Sequence, residues 1–239
     1  MDSIKATYRS CRGIGECALC PESRKKELDV LYGYNGAEDV GEADRLFYEE
    51  MLCHGLEAQN ERYRKKGNYG RIWTMNDWRR SVRYRPIENV LLVGNAECHF
   101  RLRALVETYI KFCDRREERF GEIFFLISVF TDIRSEIPHI HERYVLLWTD
   151  EEGVRHIGID RALEQAGVDV PFPGSEEGRY NNRKMIFDQM CREMWRDTVA
   201  EALEDDPDTE LDRDARLSLG NLIWLSEMRG GGLMERLQS

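Results

Sequence analysis

Two histidines one residue apart, His139 and His141 in the stretch "IPHIHERYVLLW", are the first residues whose type and spacing suggest chemistry. On an extended strand, residues i and i+2 project to the same face, so both imidazoles can reach one ion while Ile140 turns into a core. A divalent metal needs further ligands, and Asp132, Glu136 and Glu142 are the nearby oxygen donors. The alternative is a pair of solvent-exposed rings at a strand edge. The cysteines form a second set. Cys17 and Cys20 make a C-x-x-C pair, with Cys11 before it and Cys53-His54 further on, from which a Cys₃His or Cys₄ structural zinc site could be assembled. Zinc would give a Gly-containing N-terminus with little apolar content a reason to fold.

A third feature is electrostatic. Between Arg62 and Arg85, nine cations (Arg62, Arg64, Lys65, Lys66, Arg71, Arg79, Arg80, Arg83 and Arg85) stand against one acid, Asp77, in a chain whose net charge is −10. Tyr63, Tyr69, Trp73, Trp78 and Tyr84 are interleaved with them. Cations that track phosphates, with flat rings on which bases stack, make up a surface for single-stranded DNA or RNA. The alternative is a solvated face with arginine stems lying over aromatic core residues. The acidic run from Glu204 to Asp214 has the opposite sign and suits docking on a basic protein partner. No phosphate-binding loop and no G-x-S-x-G pattern is present.

The order of elements adds to this. "NVLLVGN", a helix from Glu97, "EIFFLISVFTD", "PHIHERYVLLW" and then Tyr180 in "GRYNNRKMIF" resemble the HUH endonucleases, the replication initiators, relaxases and related transposases of viruses, plasmids and other mobile elements. The resemblance covers about residues 88–200. It implies nicking and joining of single-stranded DNA, with His139, His141 and Asp132 holding a divalent ion such as Mg or Mn. Tyr180 would be the nucleophile, and Lys184, one turn on, would neutralise charge beside it. A non-catalytic, zinc-stabilised nucleic-acid-binding regulator is the competing function, and an acidic interaction or inhibitor protein is the third.

These residues need a scaffold, and at 239 residues with 41% hydrophobic content the chain can bury one. Alternation and β-branched or aromatic runs predict strands at 89–95, 122–130 and 142–148, the last joined to 154–159 by the "TDEEG" turn. Helical periodicity predicts helices over 41–66, 76–83, 97–120, 160–167, 179–203 and 215–228. The expectation is an α+β fold, with a small, mainly antiparallel sheet packed by long helices. The divisions expected are a Cys-containing irregular extension (1–40), a helical basic and aromatic segment (41–86), the α+β core (87–205) and a C-terminal helix and tail (206–239). Seven cysteines, an odd number, suit free thiols in a reducing compartment. Without an apolar run that could span a bilayer, the chain is expected to be soluble and intracellular, with no membrane partner.

Overall fold

Residues 124–130 and 144–148 are apolar at odd and even positions alike, the pattern of strands covered on both faces. The computed structural model, which describes residues 5–11, 28–176, 178, 181–205 and 211–212, shows that arrangement. Strands β1 (Ala6–Cys11), β2 (Asp29–Gly33) and β3 (Ile87–Val93) are joined in one sheet by three later strands. A short β4 (His99–Phe100) comes first, then β5 (Phe124–Thr131), β6 (Ile140–Thr149) and β7 (Arg155–Ile157). The order is β1-β3-β6-β5-β2, with β7 alongside the far end of β6, and every pairing is antiparallel. β4 pairs instead with β8 (Leu211–Asp212).

Helices cover both faces, so the fold is α+β. On one side, α1 (Val40–Met51), α2 (Cys53–Lys65) and α3 (Met75–Arg80) bury Phe47, Leu52 and Trp78 against Ile127, Val145 and Leu147. On the other, α4 (Leu102–Phe120), α5 (Ile159–Gln165) and α6 (Arg183–Asp205) pack Tyr109, Leu163 and Trp195 on Leu91, Ile140, Tyr144 and Leu146. The two apolar sets alternate along β6, as the two-residue period of a strand requires. No helix among the described residues is long and apolar enough to cross a membrane.

Several boundaries differ from expectation for local reasons. The expected helix over 41–66 is two helices, broken at Leu52 (φ −123°). The change of direction buries Leu52 and brings Gly55 so close to β7 that a Cβ there would lie 2.5 Å from the Arg155 carbonyl oxygen. The helix expected from Glu97 starts at Leu102, because the Asn95 side chain accepts the Glu97 and Cys98 amides and holds a turn leading into β4. Cys98 therefore lies outside the helical stripe. α3 has a reciprocal Thr74–Asp77 capping box, and Asn182 accepts the Met185 amide at the start of α6. The N-terminal region is not wholly irregular: β1 and β2 form opposite edges of the sheet. The predicted helix 215–228 lies outside the described residues.

β6 enters the core carrying Glu142, and buried partners offset that charge. Arg116 on α4 places Nη1 2.8 and 2.7 Å from the two carboxylate oxygens. Tyr109 Oη donates to Oε2 at 2.9 Å and Asn89 Nδ2 donates to Oε1 at 2.9 Å. Arg116 lies over the Phe124 ring, 3.8 Å from its centroid. Burial alone would push its guanidinium towards neutrality, but Glu142, helped by Cys113, Tyr109 and Tyr8, outweighs that and raises its pKa well above the ordinary value.

Candidate nucleic-acid interface

The histidine pair is fully buried, not exposed at an edge. His141 lies in β6 and His139 immediately precedes the strand, with ring centroids 5.2 Å apart. His139 Nδ1 is 2.9 Å from the Ile137 carbonyl oxygen, and His141 Nδ1 is 3.0 Å from Glu88 Oε1. Both oxygens are acceptors, so each Nδ1 carries the proton. Glu88 also accepts from Arg143 at 2.9 Å, and Arg143 bridges to Asp44 at 2.6 Å. Phe130 stacks on the His141 ring at 4.8 Å. Extending the Phe130–His141 register by two residues sets Asp132, also buried, opposite His139. Glu142 is excluded as a partner of the pair, because it projects to the opposite face and is bound by Arg116. Among the described residues, no group of three His, Cys, Asp or Glu side chains is placed to hold a metal ion.

Tyr180 lies outside the described residues, as do Cys17, Cys20 and the side chain of Cys11. Cys53 opens α2 as a free, half-buried thiol. Lys184 is bonded to Asp188 and lies over Phe187 on α6, which packs on the face opposite His141. The structure does not bring Lys184 towards the imidazoles. Of the acidic run, Glu204 and Asp205 close α6 and Asp212 lies in β8, and the remaining acids lie outside the described residues.

The basic segment gives a more definite arrangement. The C-terminal turn of α2, the connection from α3 to β3, and the β7–α5 corner enclose a groove of about 680 Å³. Its cations are Arg62 from α2, Lys66 at the C-cap of that helix, Arg83 from the connection and Arg161 from α5. They face one acid, Asp160, whose carboxylate is paired with Arg183 at 3.1 Å. Tyr63, Tyr84 and Trp148 contribute aromatic surface, with Trp78 buried behind Tyr84.

Local packing makes this wall stiff. Asn60 donates to the Trp73 carbonyl at 2.8 Å and accepts its amide at 3.0 Å, tying the returning chain to α2. Trp78 stacks on Tyr84 at 5.0 Å, and Trp73 meets Tyr84 edge-on at 5.8 Å. At the opposite wall Trp148 contacts His156, stacked at 4.8 Å, and the Arg161 guanidinium, 4.6 Å from its centroid. Gly158 permits this, since a Cβ there would be 2.9 Å from the indole edge.

The expectation for residues 62–85 therefore divides. Arg62, Lys66 and Arg83 line the groove, whereas Arg64, Arg71 and Arg80 are exposed elsewhere and Lys65 pairs with Glu61 at 3.0 Å. Arg85 lines a smaller neighbouring cleft, and Arg79 donates to the Gly41 carbonyl. Trp78 is a correction as a free stacking platform, because it is 1% exposed within the core, whereas Trp73 is half-buried against that core. Sequence reasoning missed Trp148 and Arg161. Both lie far along the chain from the basic cluster, and only the β6–β7 hairpin brings them to it. His141 and Trp148, seven residues apart on β6, are separated by about 23 Å at the ordinary rise of a strand. The histidine pair and the groove are thus distinct places. No protein-family model, no curated protein and no solved structure matches the chain.

Proposed function

We propose that the protein binds single-stranded nucleic acid, DNA or RNA, in the groove between α2 and the β7–α5 corner. The observation that carries this reading is the convergence of four cations from three separate elements on one aromatic-walled groove, in a chain whose overall charge is −10. Random placement of surface arginines in an acidic protein would pair them with nearby carboxylates. Here the one acid in the groove is held by a cation outside it. Phosphates would occupy the Arg62, Lys66 and Arg83 side, and a base would compete with the Arg161 guanidinium for the face of Trp148. Fluorescence anisotropy with labelled single-stranded oligonucleotides tests this: wild type should bind, and Lys66→Ala with Arg83→Ala should weaken binding at least about tenfold. Equal binding by both proteins would dismiss the groove as the site.

A second reading, strand nicking at His139 and His141, is favoured by one observation. Both imidazoles hold Nδ1–H on an oxygen acceptor, the orientation that commonly presents Nε2 to a metal. A divalent ion such as Mg or Mn would supply polarisation of a phosphate there. Both rings are buried, so the reading requires the covering chain to open. Incubation of single-stranded DNA with Mn²⁺ should then give a covalent adduct that Tyr180→Phe abolishes. An adduct equally strong in that variant would remove Tyr180 from the chemistry.

A further inference from the structure

Trp148 lines two adjoining cavities of different charge. A second basin of about 600 Å³ adjoins the groove and shares Arg62, Trp148 and Arg161 with it. In this basin four carboxylates, Glu61, Asp150, Glu151 and Glu152, face three cations. Two of those cations are already engaged: Lys65 with Glu61, and Arg161 over the indole. Hydrogen bonds from His156 and from the backbone of the turn keep the Asp150 carboxyl below its usual range, so it stays anionic at neutral pH. Glu151 and Glu152 are exposed on the same hairpin turn.

A strand lying in the cationic groove would therefore meet like charge as soon as it passed Trp148. The two regions adjoin, so screening over a Debye length of about 10 Å does not separate them. Each phosphate carried into the basin would face the exposed carboxylates of Glu151 and Glu152 in a region whose four acids outnumber its three cations, whereas a nucleoside without a phosphate would not. Resting on the single-strand reading above, we propose that the groove receives the hydroxyl end of a strand. Its last phosphates lie among Arg62, Lys66 and Arg83, and its terminal nucleoside passes Trp148 into the acidic basin.

The test uses the full chain and one sequence in three forms: linear with hydroxyl ends, linear with phosphate at both ends, and closed into a circle. The hydroxyl-ended strand should bind at least about tenfold more tightly than either of the others. The double substitution Glu151→Gln with Glu152→Gln, on an exposed turn, should narrow that gap by raising the affinity of the circle. Equal, salt-sensitive binding of all three forms would overturn recognition of an end while leaving the groove as a polyanion site. An unchanged gap in the double variant would overturn the role of the basin. Failure of all three forms to bind would overturn the single-strand reading itself.

Discussion

Salt offers a quantitative examination of the groove. Each phosphate neutralised on a single strand contributes a slope of about −0.7 to the plot of log affinity against log salt, because condensed counterions are released. The groove presents four cations, Arg62, Lys66, Arg83 and Arg161. Full engagement therefore predicts a slope of about −2.8, and a roughly fifty-fold loss of affinity between about 50 and 200 mM salt. Removing two of them, as Lys66→Ala with Arg83→Ala, should lower the slope to about −1.4 and the loss to about sevenfold. Arg64→Ala with Arg71→Ala removes the same charge from exposed positions outside the groove and should leave the slope nearly unchanged. Anisotropy titrations at four or more salt concentrations give each slope directly. Equal reductions in both double variants would show that the strand responds to diffuse charge along the segment, and the groove would lose its standing as a defined site.

Other outcomes follow from the packing. Glu142→Leu leaves Arg116 as a buried, uncompensated cation and should cost about 3–5 kcal/mol by urea denaturation, whereas Arg116→Met combined with Glu142→Leu should recover most of that loss. If the double variant is no more stable than the single one, the carboxylate is not acting through Arg116. Gly55→Ala would force apart α2 and β7, where the added methyl meets the Arg155 carbonyl, and should cost about 1–3 kcal/mol of stability while weakening oligonucleotide binding. Burial pushes the thiols of Cys113 and Cys191 up to about 12, so at pH 8 both stay protonated. A native-state alkylation experiment should modify Cys53 and spare those two until denaturant is added, and early modification of Cys191 would contradict its place in the core.

The parts of the fold that were legible in the sequence are those written in local periodicity. The hairpin turn at 149–153, the apolar runs of β5 and β6 and the stripe of α4 depend on neighbours a few residues apart, and they fell within a few residues of their expected bounds. β1 and β2 escaped notice because edge strands of five or six residues have one side without a partner strand and need no long apolar pattern. The Gly, Pro and Cys residues of the stretch 11–27 between them made the whole N-terminal part read as irregular chain.

Charge concealed the rest, in two opposite ways. A Glu142-Arg143 pair would ordinarily keep a strand out of a core, yet both lie within the sheet because their partners come from distant segments. Arg116 on α4 serves one face, and Glu88 on β3 with Asp44 on α1 serves the other. A charged residue in a strand is excluded from a core only when nothing opposite can compensate it. Conversely, the basic run of 62–85 suggested one uniform surface, but a helix end, a turn and a short helix point its cations in different directions. Only three of the nine reach the groove, where a fourth arrives from α5. Sequence proximity measured the charge and not its direction. The direction is set by Asn60, which folds the chain back at Trp73, and by the Trp78–Tyr84 stack, which fixes the segment leading to Arg83. Asn60→Ala therefore separates the two explanations of binding: it keeps the number of cations while releasing the returning chain, and it should weaken binding only if their convergence, rather than their number, holds the strand.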